Sequence, residues 1–159
     1  MKRYVVLALF LLSTLSIAQP SLLSRKDLKG LKQVGVLIED LDRDAMAEGL
    51  SVEQLKTDVE LRLRRSSIKV PDDPATGDAY LYVWVSTLKI KDEPNWVYSI
   101  DVTLEQDARL VRTDAYRSAT TWRAGTIGVV GSHQLVAAIR ESVGNYVDRF
   151  TNDYLAANQ

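Results

Sequence analysis

AYLYVWVSTLKIK, residues 79–91, followed after a short break by WVYSIDVTLEQ, residues 96–106, decides the fold. In the first segment Leu81, Val83 and Val85 alternate with Tyr80, Tyr82 and Trp84, so both sides of the strand are apolar, as suits the middle of a sheet. In the second, Trp96, Tyr98, Ile100, Val102 and Leu104 alternate with Val97, Ser99, Asp101, Thr103 and Glu105. That period of two gives a strand with one dry and one wet face. Pro94 and Asn95 lie in the turn between them.

Working outward, residues 109–112 continue the ribbon, Thr113-Asp114 makes a turn, and residues 116–123 return with Tyr116, Ser118, Thr120 and Trp122 on one face. Gly125, Gly128 and Gly131 then read as a flexible connection to a closing helix capped by Ser132. Its apolar positions are Val136, Ile139, Val143, Val147, Phe150 and Tyr154, with Gly144 a weak point inside it. Toward the N-terminus, Val34, Val36 and Ile38 alternate as a first strand. Ser51 and Gln54 form a capping box opening a helix over 51–65, whose apolar stripe is Val52, Leu55, Val59 and Leu63. Residues 68–70 read as a short strand stopped by Pro71, and residues 71–78 as a loop.

The order β-α-β-β-β-β-α predicts an α+β fold: a two-layer sandwich with a mostly antiparallel sheet of 4–5 strands and two amphipathic helices on one face. Residues 33–159 form this single domain, after a polar lead-in over 19–32. Residues 1–18 read as an export signal. Lys2 and Arg3 precede an apolar run from Tyr4 to Leu15, and Ser16-Ile17-Ala18 is a small-residue cleavage site. A run of about 12 residues is shorter than the roughly 20 needed to span a bilayer, so no stable membrane span is expected after cleavage. The expected location is the periplasm or the medium. Cleavage leaves 18 basic and 21 acidic residues, a net charge of −3, which argues against a nucleic-acid partner. The chain has no cysteine, which excludes disulfides, thiolate metal sites and a cysteine nucleophile.

Candidate chemistry is sparse. Asp40, Asp42, Asp44 and Glu48 are spaced like calcium-loop ligands, but Ala45 and Ser51 stand where such a loop needs glycine and a bidentate glutamate. An acidic loop ahead of a helix N-terminus accounts for them, and no metal is expected. Residues 125–132, GTIGVVGS, have neither phosphate-loop spacing nor the lysine that such loops carry. His133 is the sole histidine, and the neighbouring Ser132 lies in no nucleophile elbow. No enzymatic activity and no cofactor are expected. Tyr82, Trp84, Trp96, Tyr98 and Trp122 crowd neighbouring strands, either as core or as an exposed aromatic sheet face.

The stretches LSVEQLKTDVELRLRRSSIKV, YLYVWV and ESVGNYVDRFTNDYLAAN resemble a group of small exported bacterial proteins of unassigned function. In element order the chain is also similar to the periplasmic α+β domain of curli-secretion and penicillin-binding-protein-activator lipoproteins and to the N-terminal domain of the Tol propeller protein. That resemblance implies a non-catalytic envelope module for protein interaction or assembly, partnered by an envelope protein or by itself. The alternative is a small-ligand or glycan binder using the aromatic sheet face. The chain lacks the lipid-bearing cysteine of those families and any insertion long enough for a membrane hairpin.

Overall fold

A computed structural model describes residues 26–159; the export-signal reading of residues 1–18 lies outside the described residues. The elements are β1 (Val34–Ile38), α1 (Arg43–Ala47), α2 (Val52–Arg65), β2 (Ala79–Lys89), β3 (Asn95–Leu110), β4 (Ala115–Gly131) and α3 (Leu135–Ala157). The four strands lie in sequence order, with β1 parallel to β2 and the other pairs antiparallel. The expected α+β sandwich is the observed one. Helices α2 and α3 cover one face with Leu55, Val59 and Leu63 from the first and Leu135, Ile139, Val143, Val147 and Phe150 from the second.

Register assigns the faces. Leu81, Val83 and Val85 sit beside Leu104, Val102 and Ile100, all buried under the helices. Trp122 and Ala124 extend those rows onto β4. The helices are tied to each other at their outer surface by Arg62 to Asp148 at 2.5 Å and by two bonds from Arg140 to Asp58 at 2.8 and 3.1 Å. Gly144 has its reason there. A Cβ on it would stand 2.5 Å from the Arg62 guanidinium, which lies across the helix at that point.

Several expectations need correction. Residues 68–70 are not a strand: Lys69 makes a single bridge to Gln33, accepting the Val34 N–H at 2.9 Å, while Ile68 is buried. The acidic segment after β1 is partly helical, because Arg43–Ala47 closes one turn and a half with Ala45 inward. Residues 125–131 are not a flexible connection but the end of β4, paired with residues 95–101 of β3. A bulge between Leu104 and Glu105 leaves Thr121 unmatched, so Trp122 turns to the covered side while Tyr116, Ser118 and Thr120 face the other way. The lead-in is not wholly polar either, since Leu28 and Leu31 belong to the core.

Ser51 caps α2 as expected, its hydroxyl oxygen accepting the Gln54 N–H at 3.4 Å. Ser132 does not cap α3, which begins at Leu135 after a single 3-10 turn. Its hydroxyl accepts the Trp96 indole N–H at 3.1 Å and donates to the Pro94 carbonyl at 3.1 Å, clamping the start of β3 to the end of β4.

Candidate functional site

The five aromatics do not share a face. Tyr82 pairs with Thr103 and Trp84 with Asp101 on the face away from the helices. Trp96 and Tyr98 pair with Lys89 and Thr87 on the covered face, where Trp122 also points. Trp96 and Trp122 are core residues. The Trp122 ring meets Phe150 edge-on with centroids 5.3 Å apart, and its indole N–H donates to the buried Asp153 carboxylate at 3.0 Å. A single aromatic platform for a glycan is therefore absent; the set divides into three packed rings and two on the open side.

The three glycines of β4 are sites of close approach. A Cβ on Gly125 would lie 2.5 Å from the Ile100 carbonyl oxygen and 2.6 Å from the Asp101 carboxylate, and one on Gly128 would lie 2.6 Å from the Tyr98 ring. At Gly131 the nearest atom would be His133 Cε1 at 3.2 Å. These residues stay small so that neighbouring side chains can cross the strand.

The calcium candidates are dispersed. The Asp42 carboxylate accepts from the Thr87 backbone N–H at 2.8 Å and its hydroxyl at 3.1 Å, fastening α1 to β2. Glu48 faces Lys89 at 3.7 Å, Asp40 is exposed, and Asp44 occupies the first turn of α1. Among the described residues no three metal-ligating side chains gather.

What the register does assemble is an open face that neither α2 nor α3 covers. At one end the turn Pro74–Thr76 lies on it, so close that a Cβ on Gly35 would reach within 2.6 Å of Pro74 Cα. Tyr82 there donates its hydroxyl proton to Glu39. That bond, with burial and the nearby carboxylate charge adding to it, pushes the phenol up to about 12. In the middle, Arg123 bonds Asp101 at 2.7 Å beside Gly125, which holds the guanidinium above its usual range. An open hollow of about 470 Å³ adjoins this pair, with Arg149 from α3 reaching its rim. Beyond it the surface turns apolar: Leu88, Ile127 and Val129 are 68%, 76% and 66% exposed, and Trp84 is 38% exposed.

Strand β4 also ends the sheet, so its outer backbone groups have no strand partner among the described residues. Natural sheets blunt such edges with charge or proline. Residues 124–131, AGTIGVVG, contain neither. Sequence reasoning missed this edge because three glycines in eight residues look like a loop; the signal available was the unbroken alternation of Thr126, Gly128 and Val130 against Ile127 and Val129.

No protein-family model matches the chain, and no curated protein matches it. Among solved structures it is similar to a PelC dodecamer from Paraburkholderia phytofirmans, at 16% identity and a TM-score of 0.48, over 76% of this chain and 86% of that one. It is also similar to a minor lipoprotein from Acinetobacter baumannii, at 11% identity and a TM-score of 0.41, over 80% of this chain and 93% of that one. Among the described residues no helix is long and apolar enough to cross a membrane.

Proposed function

We propose that this chain is an exported, non-catalytic module that docks onto a protein of the cell envelope or onto a second copy of itself through the outer edge of β4. The observation that carries the proposal is the uncharged segment 124–131 on a sheet edge that pairs with no other strand among the described residues, with Ile127 and Val129 exposed beside it. An extended partner segment can satisfy the unpaired backbone groups while these side chains supply apolar contact. Export is supported by the leader-like residues 1–18, and a non-catalytic role by the isolation of His133, which is exposed and whose neighbour Ser132 is spent on Trp96 and Pro94.

Light scattering on the exported protein tests this reading. The expected result is an oligomer, or a complex with one envelope protein recovered by cross-linking, that disappears in Ile127→Lys/Val129→Lys. A monomer whose cross-linking pattern is the same with and without those substitutions overturns it.

A further inference from the structure

The far end of the β3–β4 hairpin carries a second surface, distinct from the β4 edge. Pairing of β2 with β3 stops at Tyr80 and Glu105, whereas β3 and β4 stay paired for five further positions, from Gln106 with Ala119 to Leu110 with Ala115. At about 3.4 Å per residue the resulting two-stranded arm projects roughly 17 Å past the sheet. Its foot is fastened by Gln106, whose side-chain amide donates to the Thr121 hydroxyl at 2.5 Å and to the Asp27 carbonyl at 3.1 Å. Its end is closed by the Arg109–Asp114 ion pair and by N–H groups of Thr113 and Asp114 bonded to the Leu110 carbonyl.

The tip is apolar and basic together. Val111 is 96% exposed, and Tyr116 and Leu110 are also exposed. Arg112 and Arg117 flank them, neither paired with a carboxylate among the described residues. We propose that this arm is a membrane anchor of the interfacial kind, with Leu110 and Val111 entering the lipid headgroup region of an anionic bilayer and Tyr116, Arg112 and Arg117 lying at its surface.

Charge complementarity selects the occupant. Three apolar side chains on a narrow tip offer far less than the roughly 800 Å² per partner of a specific protein interface. A small apolar insertion combined with cations is what holds a peripheral protein on anionic lipid. The chain's acidic excess would oppose that approach if the body touched the bilayer. An arm of about 17 Å keeps the body roughly two screening lengths away at physiological salt. Five paired positions are too few to span, since a transmembrane strand needs about ten.

The test exploits a cysteine-free chain. Exported protein bearing Val111→Cys, labelled with an environment-sensitive fluorophore, is mixed with vesicles of phosphatidylethanolamine and phosphatidylglycerol or of phosphatidylcholine alone. The expected result is a blue shift with the anionic vesicles and little with the neutral ones. Unlabelled protein should float with the anionic vesicles. Arg112→Gln and Arg117→Gln should each weaken binding about fivefold, and Leu110→Ser/Val111→Ser should lower it by about tenfold or more, with thermal melting unchanged as proof of folding. A fluorophore that stays in water, or flotation unaffected by Leu110→Ser/Val111→Ser, overturns the proposal. So does a change of oligomeric state in that variant with no vesicle binding by the parent, which would make the tip a protein contact. Ile127→Lys/Val129→Lys should leave vesicle binding intact, so failure of the β4-edge reading and failure of this one are told apart.

Discussion

The two faces of this sheet both carry apolar rows and have opposite fates. On the covered side, Leu81, Val83, Val85, Trp96, Ile100, Val102, Leu104 and Trp122 are closed off by five residues of α3 and three of α2. On the open side, Tyr82, Trp84, Leu88, Ile127 and Val129 meet solvent, an ion pair and one short turn. The difference lies in which face the helices cover, because Leu88, Ile127 and Val129 on the open side are as aliphatic as the residues packed on the other. The covered set is mainly aliphatic, and its two tryptophans each have a hydroxyl or carboxylate waiting for the indole N–H. Apolar alternation therefore separates two faces, while the helices' own stripes decide which one becomes the core.

The widest gap between the faces should appear on truncating one tryptophan from each. Trp122→Ala removes the ring that meets Phe150 and takes a donor from the buried Asp153, so a loss of about 4 kcal/mol is expected in chemical denaturation. Trp84→Ser, on the open face, should cost about 1 kcal/mol or less. Equal losses at the two positions would refute the assignment of faces. Next in size is Gly35→Ala, where the obstacle is the backbone of Pro74 and cannot swing away; about 2 kcal/mol is expected. Gly144→Ala should be close to neutral, because Arg62 can move its guanidinium and the helix gains about 1 kcal/mol in propensity. A Gly35→Ala variant as stable as the parent would show that the Pro74–Thr76 turn does not lie on the open face.

Much of this arrangement was legible. The alternation in 79–91 and 96–106 gave the central strands, with the dry side of the second, and Ser51 and the stripe Leu55, Val59 and Leu63 gave α2 to within a residue. What escaped has identifiable physical causes. One unmatched residue, Thr121, reverses the orientation of everything before it on β4, and no local preference marks a bulge there. Glycines at 125, 128 and 131 imitate a loop because their purpose, room for Asp101, Tyr98 and His133, depends on the preceding strand, 24 and 30 residues earlier, or on the next turn. Ser132 looks like a helix cap until Trp96 arrives to claim it. The candidate surface depends on the same long-range facts: β4 becomes an edge only once β3 has chosen its other neighbour.

The smallest effect tests the chemistry of the open face directly. Tyr82 donates to Glu39 at one end of that face, and the tyrosine's titration is displaced from 10.0 to about 12. Because the folded value lies above the unfolded one, the pair's contribution to stability is fully present below pH 10 and is lost as pH rises toward 12. An ultraviolet titration of the tyrosines should show one group lagging the rest. Glu39→Gln should bring that group back toward its companions, since the carboxylate is both the acceptor and the adjacent charge. The same substitution should flatten the alkaline end of the thermal stability profile while leaving neutral pH almost unchanged. A lagging group that persists in Glu39→Gln would mean that burial, not the carboxylate, holds the phenol's proton, and this end of the open face would then be drier than the apolar end around Ile127.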